Sequence, residues 1–185
     1  MKGTAPRHAD PDIDARYAQQ LRGSEKDRAE NLMIVDLLRN DLGLIATTGS
    51  VRVERLFELE GYSDVWTLTS TISADIGAAS LEKILHALFP CGSITGAPKL
   101  AAMRHIKDFE VARRGIYSGS VGWLAPSADF ELNVAIRTLA IDRSGCGIYG
   151  VGGGIVIDSD ANEEWEECKW KSRLVDALDT AVRVA

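Results

Sequence analysis

The stretch from Ser24 to Asp41 constrains this chain more than any other. Ser24 reads as a helix cap, with Asp27 three residues on in a capping-box-like arrangement. Ala29, Leu32, Met33, Val35 and Leu37 follow at helical spacing. Apolar residues lie on most sides of this helix, so the sequence predicts that it is buried. Its carboxylates, Asp27 and Glu30, then need an explanation, because burying an unpaired charge is costly.

The elements around it set the fold class. Asp10-Pro11-Asp12 starts an earlier helix, with Pro11 at its first position and a stop near Gly23. Residues 44–48, 51–53 and 65–72 are rich in Val, Ile, Leu and Thr and read as strands. Leu81 to Leu88 reads as a helix, Pro90 to Gly96 as a loop, and Pro98 opens a helix through Phe109. Ser120–Leu124, Phe130–Ile141 and Ile155–Ile157 read as strands, with Phe130, Leu132, Val134 and Ile136 on one face. A last helix is predicted from Asn162 to Val184, with Trp165, Cys168, Leu174, Val175, Leu178, Ala181 and Val182 as its apolar stripe. Helices, strands, helices, strands and a helix, with hairpin-like strand pairs, favour an α+β structure with a largely antiparallel sheet.

Composition removes several classes. The 185 residues suit one domain. A net charge of −6 argues against a basic nucleic-acid surface. No run of 18 apolar residues is available to span a membrane, and Met1–Thr4 lacks the apolar core of a signal peptide, so the expectation is a cytoplasmic protein. Cys91, Cys146 and Cys168 are odd in number and widely spaced, which reads as three reduced thiols. His8, His86 and His105 form no zinc pattern.

Four constellations carry chemistry. Asp27 and Glu30 are spaced i,i+3, and Glu164 and Glu167 repeat that spacing on the last helix, with Lys171 four residues further. Two such pairs, if brought together, make a hard oxygen site suited to Mg²⁺; the alternative is a solvated acidic face at each helix start. Gly152-Gly153-Gly154 leaves backbone amides open to an anion such as a carboxylate, or is simply a tight turn. Gly92–Lys99 superficially suggests a phosphate loop, but the Walker spacing is not met, which leaves a nucleotide-binding module as the runner-up. Arg137 lies in an apolar strand and needs a carboxylate partner, from a substrate or from within the chain.

Taken together, the segments resemble the chorismate-utilising enzymes. Lys2-Gly3-Thr4, Lys26 through Asp41, Gly92–Lys99, Tyr117-Ser118-Gly119, Ile136-Arg137-Thr138 and Gly152 through Val156 recur in that order in the family. The likeness covers essentially the whole chain. It implies a two-sheet sandwich of largely antiparallel strands with outer helices, of which residues 1–185 would be the C-terminal portion of the catalytic domain. It also implies Mg²⁺, held by Glu30 and Glu167, with Asp27 and Glu164 supporting through waters. Arg137 and Tyr117 would hold the enolpyruvyl carboxylate, and Gly153, Gly154 and Lys171 the ring carboxylate. Gly3, Thr4 and Ser93 would line the site.

Lys2 points to a subfamily. Aminodeoxychorismate synthases resemble this Lys-Gly-Thr, whereas anthranilate, isochorismate and salicylate synthases usually carry alanine there. The resemblance therefore implies conversion of chorismate to 4-amino-4-deoxychorismate, on the route to 4-aminobenzoate and folate, with ammonia from a glutamine amidotransferase partner. Lys2 would be the nucleophile, a role open to a lysine amine only when deprotonated. The alternatives are an anthranilate or isochorismate/salicylate type of enzyme, or a catalytically silent fragment that binds the partner. Trp66-Thr67 stands where many members have a histidine, Cys91 where a small residue is common, and Met1 where the family has a long N-terminal half. A sheet lacking that half's strands is expected to self-associate.

Overall fold

Asp10 accepts the amides of Asp12 and Ile13, and Pro11 occupies the first turn, so α1 (Pro11–Gly23) starts where the sequence predicts. The Ser24 hydroxyl accepts the Asp27 amide and opens α2 (Glu25–Gly43). This computed structural model describes residues 1–157 and 159–181. It divides into two compact units, one ending at Leu100 and one starting at Ala101.

The first unit is a three-stranded antiparallel sheet carrying helices. Its strands are β1 (Thr4–Pro6), β2 (Arg52–Gly61) and β3 (Val65–Ser73), in the order β1-β3-β2. The β2–β3 hairpin closes with the Tyr62 amide on the Val65 carbonyl, and β2 is irregular around Phe57, whose φ is +55°. Both α1 and α2 pack on β3. α3 (Leu81–Leu88), the single turn α4 (Gly92–Thr95) and the start of α5 (Lys99–Phe109) complete the unit. Ala18, Leu21, Val35, Leu68, Ile84 and Ala87 form its buried apolar set.

Several expectations are corrected. α2 is not buried all round: Leu32 is 43% and Met33 57% exposed. The helix rests one face on β3, α3 and α4, and these two residues lie off that face. Residues 44–48 form turns, because the amides of Leu44, Ile45 and Ala46 bond back to Asp41 and Leu42. Part of the expected loop at 90–96 winds into α4. β1 was not foreseen, and β2 runs far past Val53, paired with β3 from Arg52 to Gly61.

In the second unit, β4 (Ser120–Leu124) pairs with β5 (Phe130–Val134), and β6 (Leu139–Ile141) with β7 (Gly147–Tyr149), both antiparallel. The expected single strand 130–141 is therefore broken after Val134. Residues 155–157 form no strand; the Ser159 hydroxyl and amide bond to Val156 and turn the chain there. Asp160 accepts the amides of Asn162 and Glu163 and starts α6 (Ala161–Ala181). The expected helix residues Val182 to Val184, and the side chains of Leu174, Leu178 and Ala181, lie outside the described residues. Val121, Trp123, Leu124 and Leu132 of the first hairpin and Ile141 and Ile148 of the second are exposed. Mixed helices and small antiparallel sheets are the α+β class that the sequence predicts. No helix among the described residues is long and apolar enough to cross a membrane.

Asp14 ties the first unit's edge together. Its carboxylate accepts Arg7 Nε at 3.0 and 3.1 Å, the His8 amide at 2.9 Å and Trp66 Nε1 at 3.0 Å. Arg7 also lies over the Trp66 ring and donates to the Tyr62 carbonyl. The Arg7 hydrogen bond, helped by those from His8 and Trp66 and opposed by burial, holds the Asp14 carboxyl below its ordinary value of 3.8. A lowered folded value stabilises the fold above the ordinary carboxylate range, and that contribution disappears as pH falls through the folded value. Urea midpoints of the wild type and Asp14→Asn should therefore differ at pH 6 and converge in strong acid. A gap that persists undiminished at low pH would contradict this assignment.

Candidate active site

In the first unit, Lys2-Gly3-Thr4 enters the sheet beside α2. Thr4 pairs with Thr67 across β1 and β3. The Lys2 amide donates to the Leu68 carbonyl at 3.0 Å, and the Leu68 amide to the Gly3 carbonyl at 3.1 Å. Lys2 Nζ lies 3.2 Å from Glu30 Oε2. Gly3 has φ +90°, and a methyl carbon placed on it would lie 3.0 Å from Asp27 Cβ. The left-handed backbone favours glycine, and the close approach leaves little room for a side chain. The sequence-predicted Lys2, Gly3, Asp27 and Glu30 are thus brought together on one helical face.

Ser93 sits elsewhere in this unit. It belongs to α4, and its hydroxyl is 3.0 Å from Cys91 Sγ. The phosphate-loop alternative loses its lysine. Lys99 Nζ is 2.8 Å from Asp41 Oδ2 and donates to the Ala87 carbonyl, in a pair only 18% and 5% exposed. Breaking such a pair costs about 3–5 kcal/mol, so Lys99 is structural.

The second unit gathers most of its predicted groups along Gly150–Gly154. The Tyr117 ring covers Gly150, and its hydroxyl would lie 2.8 Å from a methyl on Gly152. Burial, the dominant influence, pushes the Tyr117 phenol above its ordinary value. Lys171 Nζ donates to the Gly152 carbonyl at 2.9 Å and pairs with Glu167 Oε1 at 2.9 Å. A methyl placed on Gly153 would lie 2.5 Å from Glu164 Oε2 and 3.1 Å from Glu167 Oε2. Two carboxylate oxygens therefore converge where Gly153 has no side chain. Gly154 faces open space.

Glu164 is held on one side only. Its Oε1 accepts the Ser159 hydroxyl at 2.7 Å, while its Oε2 is buried with no partner among the described residues. An orphaned carboxylate oxygen beside a second one fits a hard cation or its water. Among the described residues no three acidic, histidine or cysteine side chains converge. The carboxylates come as pairs, and a cation held by them keeps sites open for water or an anionic ligand.

Arg137 corrects its expectation. It is exposed, lies between β5 and β6 rather than in a strand, and has φ +49°. Among the described residues it makes no hydrogen bond or ion pair. No carboxylate among the described residues claims it, and an anionic ligand is a partner its guanidinium suits.

Sequence reasoning missed Asn31 and Ser159, and marked Thr67 only as standing where many members have a histidine. Asn31 donates to the carbonyls of Lys2 and Leu68, Thr67 to that of Gly3, and Ser159 to Glu164. Asn31 sat one residue from Glu30 in a helix expected to be buried, and that proximity was the available signal.

Within the second unit, Lys171, Glu164, Glu167 and the Gly152–Gly154 backbone gather groups suited to an anionic small molecule or a cation. The model of the chorismate binding enzyme family matches residues 1–176, and the chain belongs to that family. It is 48% identical over 168 residues to aminodeoxychorismate synthase component 1 of Klebsiella aerogenes, across 90% of this chain and 37% of that protein. It is 42% identical over 187 residues to anthranilate synthase component 1 of Streptomyces coelicolor, across 100% of this chain and 36% of that protein. The solved anthranilate synthase component I of Streptococcus pneumoniae superimposes with a TM-score of 0.77 at 36% identity, across 92% of this chain and 39% of that one. The chain thus spans well under half the length of each of these relatives.

Gly3 supplies a direct check on the first unit. Gly3→Ala should lower stability by about 1–2 kcal/mol, from the left-handed backbone alone, and release β1. The urea midpoint measures it, and an unchanged midpoint would show that the strand re-anchors without strain.

Proposed function

We propose that this chain is the C-terminal portion of an enzyme that converts chorismate to 4-amino-4-deoxychorismate with ammonia from a glutamine amidotransferase partner. The observation that carries the reading is Lys2 beside Glu30, on a Lys-Gly-Thr segment anchored to the sheet. The "component 1" name of the Klebsiella relative supports a second, separate component. A place on the route to 4-aminobenzoate and folate, in the cytoplasm, follows from the same reading.

In this reading Arg137 and Tyr117 bind the enolpyruvyl carboxylate, the arginine by charge and the phenol by hydrogen bonding. The Gly153 and Gly154 amides and Lys171 receive the ring carboxylate. Gly3, Thr4 and Ser93 line the pocket. Glu30 and Glu167 are the Mg²⁺ ligands, with Asp27 and Glu164 supporting through water; Glu164 Oε2, buried and without a partner among the described residues, supports the second unit's share of that set. The cation, when bound, supplies neutralisation of the ring carboxylate. The Lys2 amine gives its electron pair to the ring while the C4–O bond breaks, and the oxygen leaves as water after taking a proton. Ammonia then adds at C4 and the Lys2 amine departs.

An anthranilate synthase is the second reading, favoured by the 42% identity to the Streptomyces protein. Product analysis separates the two. The complete enzyme, given chorismate, ammonia and Mg²⁺, should yield 4-aminobenzoate through a coupled lyase and no anthranilate.

Three substitutions test the roles. Glu30→Gln or Glu167→Gln should abolish Mg²⁺-dependent turnover in a folded protein, and full activity in either would sink the metal assignment. Lys2→Ala should lower kcat by at least about 100-fold with little change in KM, because a nucleophile acts on the transition state. A rise in KM alone would make Lys2 a binding residue.

A further inference from the structure

We infer that Asn31 and Thr67 are positioning residues that fix the backbone of Lys2 and Gly3, and through it the place of the Lys2 amine. The inference rests on the proposed role of Lys2 and adds to it the parts that aim it.

The two side chains come from different elements and are almost fully buried, Asn31 at 2% and Thr67 at 1% exposure. Asn31 Nδ2 donates to the Lys2 carbonyl at 3.1 Å and to the Leu68 carbonyl at 3.1 Å. Thr67 Oγ1 donates to the Gly3 carbonyl at 3.2 Å. Consecutive carbonyls of the Lys2-Gly3 segment are thus each held by a buried side chain. The strand pairing does not need them: the Leu68 carbonyl already accepts the Lys2 amide, and the Gly3 carbonyl already accepts the Leu68 amide. The side-chain donors occupy the second lone pair of each of these oxygens.

Asn31 is itself oriented. Its Oδ1 accepts the Ser70 hydroxyl at 2.6 Å, and Ser70 Oγ accepts the Phe57 amide at 3.1 Å. The amide's two ends are therefore distinguished, with its nitrogen toward Lys2. Asn31 is also the neighbour of Glu30, so one turn of α2 supplies both the donor for the Lys2 backbone and the carboxylate 3.2 Å from its Nζ. A lysine side chain otherwise samples many rotamers, and restricting its backbone and place is what an attacking group needs.

The test uses the complete enzyme. Thr67→Val removes the hydroxyl and keeps the shape, Thr67→Ser restores it, and Asn31→Asp removes the donors at constant size. Thr67→Val and Asn31→Asp should each speed amide exchange in residues 2–5 and at Leu68 by about tenfold, and lower kcat by about tenfold with KM nearly constant. Thr67→Ser should recover both. In a Lys2→Ala background, Thr67→Val should cost nothing more, since the two act through one group. Unchanged exchange overturns the clamp. Faster exchange with unchanged kcat, or an equal further loss in the Lys2→Ala background, overturns its role in positioning the amine. Normal kcat in Lys2→Ala alone overturns the reading of Lys2 and this role together, and the exchange data show which of the two failures occurred.

Discussion

Leu68 is the residue on which the first unit depends. Its side chain is fully buried at the centre of β3, between β1 and β2. Truncating such a leucine to alanine typically costs about 2–5 kcal/mol. Its backbone is equally committed: the amide goes to Gly3, and the carbonyl receives both Lys2 and Asn31. The segment that carries Lys2 is therefore fastened to the most buried point of the sheet. Anything that loosens the core at Leu68 also moves the site, so stability and function are linked through one residue. Asn31, neither apolar nor exposed, makes that link from α2 without leaving a buried polar atom unpaired.

Much of the fold was legible because it rests on local chemistry. The caps at Asp10 and Ser24, the helix at Leu81–Leu88 and the strands at 65–73 and 120–124 follow from side chains that act on their own neighbours. What could not be read depends on distant partners. β1 exists only because β3 accepts it, and Thr4–Pro6 carries no strand signal alone. The run at 44–48 is as apolar as a strand, yet its amides turn back on α2. The break at Arg137 sits inside a stretch with strand composition, and a positive φ cannot be foreseen for arginine. The same division holds for the site. The i,i+3 carboxylates and the glycine run were visible as spacing, and the structure sets Glu164, Glu167 and Gly153 together. Asn31, Thr67 and Ser159 act on backbone or carboxylates that the sequence alone does not bring near.

The ion pairs separate structural from functional charge. Asp41 and Lys99 are nearly out of water, and neither can leave the other without stranding a buried charge. Lys2–Glu30, with side chains 42% and 37% exposed, and Lys171–Glu167, at 22% and 49%, are of another kind. Pairs so accessible to solvent contribute at most about 1 kcal/mol to the fold. Each member can therefore exchange its partner for a carboxylate or a cation at little cost to stability. The geometry around them is nevertheless fixed, by Asn31 and Gly3 at the first pair and by the Gly152 carbonyl on Lys171 at the second. Rigid backbone under loosely held charge is the combination that lets a ligand replace the ion pairs while the groups stay aimed. It follows that removing the Thr67 hydroxyl would alter aim without altering charge, whereas removing Glu30 would alter both.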